Sequence, residues 1–385
     1  MAALSNLRVL DLSRLLPGPF ASLVLADLGA QVDKVEDLET GDYLRAMPPH
    51  HGDESAMFLA LNRNKRSLCL DLKKPEGRKT FATLVTRYDV LIDQFRPGVF
   101  DKLGLGYPVL LEQNPKLIIC ALTGYGQSGP YRNDAGHDLN YLARAGLLGL
   151  QGPAGGPPQV PAMQIADIGG ALWSVIAILA AVREREQTGI GKVIDIAMLE
   201  ATLGFASLAW AQLLQEGSAL RGAETLSGGL AIYNVYETKD DRFVALGALE
   251  PKFWFKFAEA VGLEADMSAV MPGPHQEALK QKLRSLFRGR TRDEWTQFAK
   301  EVDCCLTAVV EPSEWGKDEH LAARRLLIDV PTHAGPHRQL RTPVTPDLMT
   351  HQPPPRRGEH TRFILMEAGL SAAEVDALYA HGVVR

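Results

Sequence analysis

Apolar residues along the first two hundred positions come in short blocks separated by polar and glycine-rich breaks. Leu7, Val9, Leu10 and Leu12 predict a buried strand at 7–12, and Pro17-Gly18-Pro19 then opens a helix through Leu23 and Leu25 that Gly29 closes. A second strand follows at 32–36. A basic turn at 62–66 leads into an alternating strand at 68–72, a helix at about 76–88, and strands at 90–92 and 116–122. Residues 169–186 are apolar nearly all round until Arg183-Glu184-Arg185-Glu186, the pattern of a core helix that ends at the surface. Thr188-Gly189-Ile190-Gly191 turns the chain into a further strand at 193–196. Strands and helices alternating at these lengths predict an α/β fold with a mainly parallel sheet covered on both faces.

A long helical stretch at 199–214 closes this pattern, and the texture changes from about 225. Residues 233–238 and 243–246, joined by Lys239-Asp240-Asp241-Arg242, predict a hairpin, with helices at 251–261, 276–287 and 292–301. These describe a smaller α+β domain. Residues 330–360, rich in Pro, His, Arg and Thr, are too long for an ordinary loop and predict an extended arm held against another surface. A last helix starts at the capping box of Ser371 and Glu374. The expected divisions are 1–200, a helical linker at 201–224, the small domain at 225–329 and a return segment at 330–385.

A chain of 385 residues can bury a sizeable core and divide in two. Its net charge of -5 and pI near 6.1 argue against a bulk nucleic-acid binder, while leaving room for a local basic patch. Cys69, Cys120, Cys304 and Cys305 form no C-x-x-C pair, so neither a zinc site nor a disulfide framework is expected. The N-terminal residues lack a basic head followed by an apolar run. The longest apolar run, 169–182, is shorter than the ~20 residues of a membrane span. A cytoplasmic protein without a membrane partner is the expectation.

Candidate chemistry concentrates in 122–167. Gly124, Gly126 and Gly129 satisfy G-x-G-x-x-G directly after a strand, but Pro130-Tyr131-Arg132-Asn133-Asp134 continues as a loop where a dinucleotide fingerprint would open a helix. Nicotinamide binding is therefore not expected. His137 follows Gly136, which leaves room for a ligand; its imidazole is either a loop histidine satisfied by hydrogen bonds or an acid/base group titrating near neutrality. Asp167 precedes Gly169, Gly170 and the apolar helix. It reads both as a helix N-cap and as a carboxylate facing a cleft, beside helix amides that could hold an enolate oxygen.

Glu250 ends a strand just before a helix, and is either a surface carboxylate or the group that orients an imidazole. Arg63, Lys65, Arg66, Lys73 and Lys74, with Arg96, form a basic cluster that reads as a solvated face or a phosphate handle. No metal site is expected: Gly335-Pro336 breaks any helix that would align His333 and His337, and neither a Walker loop nor an EF-hand pattern occurs.

Taken in order, Leu10-Asp11-Leu12 with Pro17-Gly18-Pro19, Lys34-Val35-Glu36 with Gly41-Asp42, Asn62-Arg63-Asn64-Lys65-Arg66-Ser67, Arg96-Pro97-Gly98, 123–130, and Arg357-Gly358-Glu359-His360-Thr361 resemble the family III CoA-transferase superfamily across nearly the whole chain. Within it, Gly136-His137-Asp138, Ala166-Asp167 and the Glu250-Pro251 segment resemble the α-methylacyl-CoA racemase branch. The resemblance implies a Rossmann-like large domain built from both chain ends, a small α+β domain, and an interlocked homodimer whose active site lies between the large domain of one subunit and the small domain of the other. It implies His137 and Asp167 as an acid/base pair supported by Glu250. Arg66, Arg96, Lys102, Gly124, Tyr125 and Gln127 become expected contacts to coenzyme A, which enters as part of the acyl-CoA substrate. Asp37 departs from the pattern, standing where racemases often carry arginine.

The implied reaction is epimerisation of a 2-methylacyl-CoA. One of His137 and Asp167 removes the α-proton and the other returns one to the opposite face of the enolate, with no metal, flavin or pyridoxal required. The alternative is CoA transfer between carboxylic acids through a covalent adduct on Asp167, in which His137 has no proton role. A non-catalytic CoA-binding scaffold would leave the His/Asp/Glu set unexplained. The presence of both His137 and Glu250 favours epimerisation.

Overall fold

In the computed structural model, which describes residues 2–346 and 349–385, the chain divides into two compact units. The first combines Met1–Ala145, Met163–Phe205 and Glu319–Arg385; the second combines Gly146–Ala162 and Ala206–Asp318. The first unit contains strands β1 Arg8–Asp11, β2 Gln31–Glu36, β3 Lys65–Cys69, β4 Val90–Asp93, β5 Ile118–Thr123 and β6 Val193–Ala197. All six run parallel in the order β3-β2-β1-β4-β5-β6. Strand order reverses between β1 and β4, so the loops leaving them part in opposite directions and open a crevice at the carboxyl edge.

Helices α1 Pro17–Asp27, α2 Pro75–Val85, α3 Asp138–Arg144, α4 Ile165–Thr188 and α5 Met198–Leu203 belong to the same unit. Val9, Val90, Ile92, Ile118 and Cys120 pack against Ala21 and Leu25 of α1 and Ala171 and Ile178 of α4. Leu10, Leu91 and Ile119 pack on the opposite face against Phe81 and Leu84 of α2 and against Ile364 and Val375. Burial on both faces explains why the central strands read as continuous apolar runs.

Three expectations need correction. Strand β3 begins at Lys65, inside the expected basic turn, because the charged side chains find partners. Lys65 Nζ donates to Pro19 O and Asn62 Oδ1, each at 2.9 Å, and Arg66 forks onto Asp33 at 2.6 and 2.7 Å. The expected helix at 199–214 breaks at Gly204, leaving α5, a tight turn at Gly204–Ala206 and a separate helix Ser207–Glu216.

Helix α4 is also longer than its apolar run. Its 24 residues are long and apolar enough to cross a membrane by length and composition. In this fold it lies on the sheet through Ala171, Val175, Ile178 and Ala181, while Trp173 and Ile176 on its other side are 46% and 55% exposed. It is a one-faced rather than an all-round core helix.

The arm at 330–360 begins in a hairpin of Leu327–Val330 with His337–Leu340 and then runs along the first unit. Gln339 Nε2 donates to Leu59 O at 2.9 Å, Thr345 Oγ1 to Asp27 at 2.7 Å, and Asn64 N to Gln352 O at 3.1 Å. Its residues 347–348, like Met1, lie outside the described residues. In the second unit, β7 Tyr233–Glu237, β8 Phe243–Gly247 and β9 Leu306–Ala308 form an antiparallel sheet with β8 in the middle. Helices α6 Pro251–Val261, α7 His275–Phe287 and α8 Arg292–Val302 supply Trp254, Phe257, Phe287 and Trp295 to its core.

Candidate active site

Strand β5 delivers the chain to the carboxyl edge at Thr123, whose Oγ1 accepts the Gly126 amide at 3.0 Å. Gly126 and Gly129 then adopt φ of 85° and 84°, a left-handed conformation that favours glycine. The Gln127 amide donates to both oxygens of Asp195 on β6, at 3.1 and 3.0 Å. Gly124 has a different reason to lack a side chain: a Cβ there would lie 2.5 Å from Tyr141 Cε1, and one at Gly136 would lie 2.7 Å from the same atom. Gly124 and Gly136 flank the buried Tyr141 ring.

Tyr141 sits on α3, edge-on to Tyr125 with ring centres 5.2 Å apart, and its hydroxyl donates to Gly136 O at 2.5 Å. His137 immediately precedes α3. Its amide donates to Asn140 Oδ1 at 3.0 Å, which fixes the backbone from which the exposed imidazole projects. Helix α4 starts 28 residues later in the chain, and its first turn is held from outside: Asp138 Oδ1 accepts the amides of Ala166 and Asp167 at 2.7 and 3.0 Å.

Those two bonds correct the reading of Asp167. The N-cap of α4 is Gln164, Asp167 lies within the first turn, and the capping carboxylate is supplied by Asp138. The amides of Ala166 and Asp167 are thereby engaged and do not face an enolate oxygen. Asp167 itself carries an unusual proton affinity: burial, and then the neighbouring Asp138 carboxylate, push it up to about 7.

His137, Asp167, Tyr141, Arg96, Gly124 and Tyr125 line one cavity of about 200 Å³, with Leu15 and Phe95 on its wall. Phe95 also borders a larger cavity of about 740 Å³ over the carboxyl ends of β1 to β3, lined by Arg14, Gly41, Tyr43, Lys73 and Lys74. Under this wall is a buried polar network. Lys34 Nζ reaches Asp42 at 2.9 Å and Ser13 O at 2.7 Å, and Asp42 Oδ1 accepts the amide of Leu15, which holds φ of 62°.

The other expected residues lie elsewhere. Arg66 is engaged by Asp33 and by Glu367 at 2.9 Å, Lys102 is exposed at the end of the short helix Val99–Lys102, and Gln127 contributes its amide to the β5–β6 contact. Glu250 is exposed in the second unit as the N-cap residue of α6. The basic cluster is not one patch. Arg63 is buried against Asp27 at 2.6 Å, Lys65 is buried, and Lys74 Nζ donates to His381 O and Gly382 O at 2.9 Å, leaving Lys73 open at the cavity.

Asp37 shapes the loop beside that cavity, its carboxylate accepting the amides of Glu39, Thr40 and Gly41 at 2.9, 2.7 and 3.2 Å. The sequence motifs include Asp138 but give no role to Asp138, Tyr141 or Arg14. Gly124 and Gly136 were the available signal for Tyr141.

Comparison with known proteins bears on this site. A family model described as CoA-transferase family III matches residues 4–361. The alpha-methylacyl-CoA racemase of Homo sapiens is 38% identical over 390 residues, covering 99% of this chain and 97% of the relative. The succinyl-CoA–L-malate CoA-transferase beta subunit of Chloroflexus aurantiacus is 31% identical over 401 residues, covering 99% and 98%. Among solved structures, a CAIB/BAIF family protein from Brucella suis matches with a TM-score of 0.83 and 30% identity, over 95% of this chain and 99% of that one.

Proposed function

The chain belongs to CoA-transferase family III, and from that premise we propose that it epimerises the α-carbon of 2-methylacyl-CoA thioesters, with His137 and Asp167 as the two acid/base groups. The observation that carries this reading is the shared cavity: an imidazole and a carboxyl of raised proton affinity line the same 200 Å³ space. An α-proton is weakly acidic, so exchange on both faces needs two groups that each take and return a proton at working pH. Asp167, pushed up to about 7, can hold and release a proton there. Each positioned group of this kind contributes ~10²–10⁴-fold.

The larger cavity suits the nucleotide end of coenzyme A. Arg14 and Lys73 line it and form no ion pair among the described residues. Apolar side chains exposed on α4, with Leu208 and Trp210 on Ser207–Glu216 in the second unit, support an interlocked homodimer that covers them. The role of Glu250 as support for the histidine rests on that assembly.

The test is incubation with 2-methylacyl-CoA in heavy water with no acceptor acid. Deuterium is expected at the α-carbon, and His137→Gln and Asp167→Asn are each expected to abolish inversion. No incorporation across several acyl chains, together with CoA transfer to an added carboxylate and a hydroxylamine-trappable adduct on Asp167, overturns the reading.

A further inference from the structure

Asp138 is adjacent to His137 in the chain and bonded to the segment that carries Asp167, yet it is absent from the cavity wall. Its single oxygen Oδ1 takes two amides at once, those of Ala166 and Asp167, at 2.7 and 3.0 Å. The start of α3 is thus tied to the first turn of α4, and these are the two points from which the imidazole and the carboxyl enter the cavity. On the α3 side the same turn is held by Asn140, which accepts the His137 amide. We propose that Asp138 is a positioning residue for the acid/base pair, its clamp holding His137 and Asp167 at a fixed separation and its carboxylate charge set beside Asp167.

The inference rests on the epimerase reading and adds a residue to it. The other charged or titratable groups around the cavity are Arg96, Tyr125, Arg132, Asp134, His137 and Tyr141. Tyr141, pushed up to about 12 by burial and then by Asp167, stays neutral through the working range. It is none of these but Asp138, behind the wall, that adds to burial in raising Asp167. Without that carboxylate, Asp167 would ionise at lower pH and hold its proton less well as an acid. Without the clamp, α3 and α4 lose the bond between their first turns. The two roles separate by substitution, because asparagine keeps an acceptor oxygen in place while removing the charge.

In the full-length protein, Asp138→Asn is expected to move the limb of the pH–rate profile that reports Asp167 downward by about one pH unit, a ~10-fold change in its proton affinity. KM and the unfolding midpoint should stay near wild type. Asp138→Ala is expected to lower the unfolding midpoint and reduce kcat ~10²-fold. Titration of the Asp167 carboxyl by carbon-13 NMR in the ligand-free protein, with Asp167→Asn as assignment control, gives the same comparison without any turnover. A midpoint unchanged in Asp138→Asn overturns the proposal and leaves Asp138 a structural cap. If wild type shows no α-proton exchange, the epimerase reading falls, while the ligand-free titration still decides whether Asp138 governs Asp167.

Discussion

Replacing Asp167 by asparagine should abolish inversion and, at alkaline pH, stabilise the fold. A carboxyl with an ordinary value of 3.8 in the unfolded chain and about 7 in the folded one binds its proton more tightly when folded. Between these limits the folded state keeps a proton that the unfolded state has released, so stability falls as pH rises. Above about 7 the folded protein must hold the ionised group, and the full penalty applies. The difference of roughly three pH units corresponds to about 4 kcal/mol at 1.36 kcal/mol per unit. Asparagine has nearly the same shape and no charge, so the variant avoids the penalty. Urea unfolding of both proteins at equal concentration should show the advantage of Asp167→Asn growing by about 3 kcal/mol between pH 5 and pH 8.5. Equal differences at the two pH values would show that Asp167 is freely solvated and ordinary, and the acid/base argument would lose its electrostatic basis.

Other consequences can be checked directly. Lys34→Met strands Asp42 as a buried unpaired carboxylate and should cost about 3–5 kcal/mol in denaturant unfolding, since both side chains are fully buried. Gly124→Ala drives a methyl to 2.5 Å from Tyr141 Cε1 and should lose about 1–3 kcal/mol with slower α-proton exchange, read by thermal unfolding and the deuterium assay. Arg14→Gln should raise KM for a CoA thioester several-fold and leave the corresponding pantetheine thioester unchanged, because the guanidinium lines the larger cavity without an anionic partner among the described residues.

The centre of the parallel sheet was legible because two-sided burial writes itself as apolar runs in β1, β4 and β5, whereas β2 carries Asp33, Lys34 and Glu36 and the edge strand β6 is exposed at Val193 and Asp195. Strand β3 was misplaced for the converse reason. Lys65 and Arg66 look like turn residues, and only the opposing Pro19 carbonyl, Asn62 and Asp33 make them acceptable inside a sheet. The free side of α4 was equally hidden. Leu172, Trp173 and Ile176 are as apolar as Val175 and Ile178, and composition does not tell which of them meet the sheet of their own chain. Strand β9 is three residues long and carries too little pattern to register.

Within the site, the sequence could nominate His137 and Asp167 but not assign the cap of α4, since capping goes to whichever oxygen reaches the amides through space. A buried carboxyl with raised proton affinity is not by itself diagnostic either. Asp93 is also pushed up to about 7 by burial, but it accepts the Tyr107 hydroxyl at 2.6 Å and the Phe95 amide at 2.7 Å, and it is absent from the cavity wall. Most other buried charges in the first unit have partners of opposite sign: Lys34 with Asp42, Arg63 with Asp27, Arg66 with Asp33. Asp167 departs from both patterns. It faces a cavity shared with an imidazole, and the charge that acts on it, Asp138, is of the same sign. Such an arrangement disfavours the ionised fold and makes sense where a proton must come and go, which is the physical reason for reading this carboxyl, rather than Asp93, as the partner of His137.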